Sequence, residues 1–195
     1  MTQSHLRSDD AAMNSKDLFD MALVALEAED QSLQASFAQS PASGAHGLTY
    51  WVFENTLVYF IFKSWLPKTD VVWEHASKQV GPGAHQKCDL VILDSHVAVG
   101  AFEAKWWNTN DPKTWRALVD DASKLRRNFS SKQCEKYLLT FWWGQLKDWI
   151  QDVTDAEAAC KKAPRLHLVE KGKFDTKLAD GTTGYFAMGL VRVED

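Results

Sequence analysis

The sequence predicts a single α/β domain with a mixed central sheet and helices on its faces, on three observations. Apolar residues recur at helical spacing over residues 16–39. Three strand-type segments then follow one another between residues 71 and 107. A helical segment next separates them from a further strand-type run at 137–143. Consecutive strands followed by a helix and another strand favour a mixed sheet covered by helices over an all-β or all-α domain.

The first expected helix, 16–39, carries Leu18, Met21, Val24, Leu26, Leu33 and Phe37 at helical intervals. Residues 1–15 before it are polar and are expected to be disordered. Residues 40–47, rich in Ser, Gly and Ala with one Pro, read as a loop. One continuous helix is expected over 48–65, stopped by Pro67, with Tyr50, Leu57 and Ile61 on the same face as Glu54. Residues 71–76 are a strand, and 78–86, around Gly81-Pro82-Gly83, a turn or short loop. Strands at 88–93 and 97–107 flank Asp94-Ser95-His96 as a hairpin connection. Asp111-Pro112 opens a helix to about Asn128, with proline at a permitted first-turn position. A helix at 146–162, a strand at 165–169, a polar loop at 171–184 and a last strand at 185–193 complete the chain.

With 195 residues, 45% hydrophobic and 25% charged, the chain is long enough for one core without covalent staples. The three cysteines, Cys88, Cys134 and Cys160, form no CxxC pair, which argues against a zinc site or a disulfide framework and for a reducing, cytoplasmic setting. No apolar leader is seen at the N-terminus, and the most apolar stretch, 48–66, contains Glu54, Asn55 and Lys63, so no membrane span is expected. The net charge of −4 argues against coating nucleic acid by bulk charge, but not against a local basic patch.

The chemistry concentrates in the run KCDLVILDSHVAVGAFEAKWW, residues 87–107. Strand side chains alternate faces, so Glu103 and Lys105 point to one side and Phe102, Ala104 and Trp106 to the other. With Asp89 on the same side of the paired strand, two carboxylates and an ammonium converge inside otherwise apolar segments. Charges there are costly unless paired or bound to a metal. Carboxylates make a hard oxygen site suited to Mg²⁺ or Mn²⁺. A lysine beside it suits stabilisation of charge on a phosphoryl oxygen. Glu54, a lone acid on an apolar helix face, offers a further carboxylate; its alternatives are a path to the surface or a pairing with a core lysine.

This order, Glu54 on a helix, Asp89 on the second strand and Glu103-Ala104-Lys105 on the third, resembles the PD-(D/E)XK phosphodiesterase superfamily of restriction and repair nucleases. The resemblance covers residues 48–143, about half the chain, and implies a restriction-endonuclease-like αβββαβ core, here with an added N-terminal helix and a C-terminal helix and strands. It implies Asp89, Glu103 and Glu54 as ligands of Mg²⁺ or Mn²⁺, Lys105 as the catalytic lysine, DNA as the expected substrate, and a possible homodimer. Cys88 stands where the motif places its proline, its most variable position.

The downstream helix adds Asp121 and Lys124, three apart on one face, whose plainer reading is a surface ion pair. Lys124, Arg126, Arg127, Lys132 and Lys136 are candidates for phosphate contacts, or for solvated charge. Most of the nine tryptophans are expected in the core, with Trp106 and Trp107 nearest the motif. The competing reading keeps this fold but not cleavage: a partner-binding or immunity-type module.

Overall fold

The computed structural model describes residues 14–38, 47–81, 84–108 and 111–195. The expected disorder at residues 1–13 and most of the loop at 40–47 lie outside them, as does the side chain of Tyr50. Helices α1 (Ser15–Ala38), α2 (Leu48–Trp51) and α3 (Glu54–Trp65) precede strands β1 (Asp70–Gly81), β2 (Ala84–Asp94) and β3 (Val97–Trp106). Then come α4 (Pro112–Asn128), β4 (Glu135–Gln145), a short 3₁₀ turn, α5 (Trp149–Lys162), β5 (Leu166–Lys177) and β6 (Thr183–Val193).

The strands form one mixed sheet in the order β1-β2-β3-β4-β6-β5. Only β3 and β4 run parallel, because the helix between them carries the chain back to the starting edge. Both faces are covered. Leu18, Leu26, Leu57, Ile61 and Trp65 from α1 and α3 pack on Leu90, Phe102 and Phe141. Leu118, Ala122 and Leu125 from α4 and Cys160 from α5 pack on Val91, Ala101 and Leu138. Alternate residues of β2, β3 and β4 thus enter opposite cores, which explains their near-continuous apolar runs. The three thiols are unbridged and buried. Among the described residues no helix is long and apolar enough to cross a membrane.

Several boundaries follow local chemistry. Ser95 and His96, at φ 49° and 69°, make the two-residue turn between Asp94 and Val97, whose left-handed pair matches strand twist. The Asp111 carboxylate accepts the Lys113 N–H at 2.9 Å and caps α4, with Pro112 in its first turn.

Four expectations are corrected. The helix over 48–65 is two helices, broken where Val52 and Phe53 turn extended, so Glu54 begins α3 instead of lying within a longer helix. No proline or glycine marks that break, and Glu54 just after it makes the tertiary contacts described below. Of the stretch 78–86, the described residues 78–81 and 84–86 are not loop: β1 and β2 continue through them as paired strands with register shifts, which satisfies their backbone groups. The loop expected over 171–184 shrinks, because β5 runs to Lys177 with Phe174 and Thr176 buried, and the turn needs only the residues around Gly181 at φ 79°. In α1, Val24 is 66% exposed while Phe19 and Ala22 are buried. The inward stripe is Leu18, Ala22, Leu26 and Asp30 at four-residue steps, which Val24 misses.

Asp30 ends that stripe, fully buried. Its Oδ1 accepts the Leu48 N–H and the Thr176 hydroxyl, both at 2.6 Å, and Oδ2 accepts from Gln34 Nε2 at 2.5 Å. Gly47 is required beside it: a Cβ there would lie 2.0 Å from Thr176 Oγ1. The carboxylate therefore joins α1, the start of α2 and β5. Asp30→Ala leaves two buried donors without an acceptor and should lower the unfolding free energy by about 2–4 kcal/mol. Urea unfolding measures this, and a loss below about 1 kcal/mol would show that the clamp is dispensable.

Candidate active site

The site grows from the β2–β3 pairing. Leu90 pairs with Phe102, so the next step outward sets Asp89 opposite Glu103. Asp89 Oδ2 accepts the Ala104 N–H at 2.8 Å, which fixes its carboxylate against β3. The β1–β2 ladder is interrupted here, where Glu74 at φ 51° stands opposite Asp89. A left-handed glutamate costs about 1–2 kcal/mol, a strain held beside the acid pair.

Alternation turns Glu103 and Lys105 toward α4. That helix supplies the partners. Lys124 Nζ lies 2.6 Å from Glu103 Oε1, and Asp121 Oδ2 lies 3.5 Å from Lys105 Nζ. From the other side Glu54, in the first turn of α3, places Oε1 3.3 Å from Lys105 Nζ and accepts the Trp106 N–H on Oε2 at 3.0 Å. Lys105 is thus held between two carboxylates, and both Glu54 oxygens are engaged. In this geometry the Glu54 carboxylate faces the Lys105 ammonium and the Trp106 N–H.

Asp121 and Lys124 do not form the surface pair that their spacing allowed; each reaches inward to a different residue of β3. Arg127 is exposed in the last turn of α4. Lys136, only 3% exposed, pairs with Asp195 at 2.7 Å. Within the basic run 124–136, Lys124 and Lys136 are thus engaged in ion pairs.

Burial decides the protonation of the acids. Glu103 is pushed up to about 7 by burial and by the charge of Asp89, against the nearby Lys124 ammonium. Asp89 is raised by burial, against the Ala104 N–H and the lysines. Burial works against the Lys105 charge, but Glu54 and Asp121 outweigh it and keep the ammonium above its ordinary value. The Cys88 thiol, raised well above its usual value by burial and by Glu103 and Asp89, stays protonated.

The chain matches no protein-family model, no curated protein and no solved structure.

Four carboxylates, Glu54, Asp89, Glu103 and Asp121, surround two ammoniums, which leaves two negative charges uncompensated when all are ionised. Glu103 Oε1 is buried and, despite the nearby Lys124, lacks a well-directed hydrogen bond. Such a donor set fits a hard divalent cation. Among the described residues no three acid, His or Cys groups are gathered around one point, and Lys105 stands between Glu54 and Asp121. Sequence pattern missed the pairing of Lys124 with Glu103 and of Asp121 with Lys105; the usable signal was that both helical residues share one face of a helix following the motif strand.

The Glu103 shift has a stability consequence. Its carboxyl holds a proton more tightly folded than unfolded, so its contribution is full below 4.5 and is lost as pH rises through about 7. Gln mimics the protonated form. The stability of Glu103→Gln relative to wild type should therefore rise between pH 4.5 and about 7, by up to about 3 kcal/mol, then level off. Urea unfolding of both proteins in metal-free buffer across that range tests this; a pH-independent difference would mean the acid is not held up.

Proposed function

We propose that the chain is a metal-dependent nuclease with a PD-(D/E)XK-type site, hydrolysing phosphodiester bonds of DNA. The carrying observation is the excess of carboxylates over ammoniums around Asp89 and Glu103, at the end of a buried strand pair. The run α3-β1-β2-β3-α4-β4, with β3 and β4 parallel, is consistent with a restriction-endonuclease-like core. Fold alone does not assign function, so the side chains carry the weight.

Asp89 and Glu103 are the residues to hold Mg²⁺ or Mn²⁺, which would supply Lewis acidity toward a phosphoryl oxygen and a more acidic water. The protein's own groups do the positioning. Glu54 and Asp121 hold Lys105 and maintain its charge. Lys105 is then available to stabilise negative charge that develops on a non-bridging phosphate oxygen. Its raised proton affinity assigns it to electrostatics, not to proton abstraction. Lys124 neutralises Glu103, offsetting the burial of that carboxylate.

The position of the lysines favours a second reading, in which the fold binds a partner without cleaving nucleic acid. Lys124 already compensates Glu103 in this arrangement. The two readings part on chemistry. Calorimetric titration should detect Mn²⁺ binding that Asp89→Asn abolishes. On plasmid and single-stranded DNA, Lys105→Ala should cut cleavage about 10²–10³-fold while retaining the metal. Metal binding with no cleavage by the wild type would support the second reading. Cleavage by Lys105→Ala at the wild-type rate would overturn the site assignment.

A further inference from the structure

The two ammoniums of the cluster are held on different terms. Lys105 is shared by Glu54 and Asp121, at 3.3 and 3.5 Å. Neither of those acids is one of the two proposed to hold the metal. Lys124 pairs, among the described residues, with Glu103 alone, at 2.6 Å. A divalent cation and the Lys124 ammonium therefore call on the same carboxylate. Asp89 differs again. Its Oδ2 accepts the Ala104 N–H at 2.8 Å, and it forms no ion pair among the described residues. One acid of the pair is thus open to a metal while the other is held by a lysine.

Glu103 cannot serve both cations at once. Its side chain is 5% exposed, so little water screens the charges that meet there. Two positive charges arriving beside this carboxylate repel the ammonium already at it. The existing contact is one of charge and not of an aimed N–H, since Glu103 Oε1 lacks a well-directed hydrogen bond with Lys124 Nζ so near. Lys124 also has a way out. Its side chain keeps 19% exposure, and a lysine ammonium is a strongly hydrated point charge on a flexible stem.

The same lysine explains how the cluster folds without a metal. A carboxylate buried beside Asp89 needs a counter-charge, and Lys124 supplies it. That service opposes the metal, because any ligand must first displace what stabilises the free state.

We propose that Lys124 is an exchangeable internal counter-cation of Glu103, which holds the carboxylate in the metal-free protein and is displaced toward solvent when a divalent cation binds. This rests on the reading of Asp89 and Glu103 as a metal site. It makes Lys124 a positioning residue that moves, while Lys105 stays between its two acids.

Lysine reactivity in the wild-type protein reads the displacement. The full chain is pulse-labelled with acetic anhydride at one mildly alkaline pH, in metal-free buffer and with saturating Mn²⁺, and acetylation of each Nζ is quantified by mass spectrometry. Labelling of Lys124 should rise several-fold with Mn²⁺, labelling of Lys105 should not change, and in Asp89→Asn neither should respond. Calorimetry at the same pH gives a second readout. Lys124→Met keeps the stem without the charge and should bind Mn²⁺ about tenfold more tightly than wild type, whereas Lys124→Arg keeps the charge and should not. A pH above the Glu103 value of about 7 keeps protons from replacing the lysine as competitor. Circular dichroism checks the variants, and the wild-type labelling decides alone if Lys124→Met does not fold.

Mn²⁺ binding to the wild type with Lys124 labelling unchanged overturns the proposal and leaves the metal site standing. Lys124→Met binding no more tightly than wild type does the same. Binding by Lys124→Met alone supports the proposal, with the lysine outcompeting the metal. No binding by either protein overturns the metal site itself, and the proposal with it.

Discussion

Everything around the candidate centre follows from one constraint: Glu103 is an acid in a strand covered on both faces. Flanked by Phe102 and Ala104 in one core and following Ala101 in the other, it has almost no access to water. A carboxylate so placed must keep its proton, find a cation or be lost from the sequence. The fold gives it Lys124 from α4, and Asp89 opposite it adds a second charge that Lys124 alone cannot balance. The same demand propagates outward, since Lys105 two residues on needs Glu54 and Asp121, and Glu54 needs the break between α2 and α3 to reach it.

How much of this was legible in the sequence depended on the range of the interaction. Glu103 and Lys105 on one face, with Asp89 nearby, could be read from strand alternation and a short hairpin, because both are local. The Ser95-His96 turn and the Asp111-Pro112 helix start were readable for the same reason. What escaped was decided at a distance. Nothing between Leu48 and Trp65 signals a break, and the Trp106 N–H that Glu54 accepts just after it comes from another element. Residues 171–177 looked like a loop by composition, but Phe174 and Thr176 are drawn inward by α1 and the sheet, and tertiary burial overrode weak strand propensity. Asp121 and Lys124 were seen as neighbours of each other, when the partners that matter lie on β3.

The acid–lysine cluster and the cleft lined by tryptophans share the end of β3. Lys105 faces the acid cluster, and the next two residues, Trp106 and Trp107, line the aromatic cleft. Trp106 is common to both, its backbone N–H holding Glu54 and its ring packing on Trp143. A change in how that ring packs therefore has a direct covalent route to the lysine.

Residues 48–143, the span of the proposed nuclease core, are not the unit that holds itself together. On one side of β4 stands β3, but on the other stands β6, paired with it from Tyr137 to Gln145. The first helix is tied by Asp30 to Thr176, 146 positions away in the chain. A ribosome making this protein must therefore release the chain through β6 before the outer edge of β4 is closed, although β2 already covers the outer edge of β3. Until then α1 has no distal anchor, and the flank of β4 remains open to pairing with other chains.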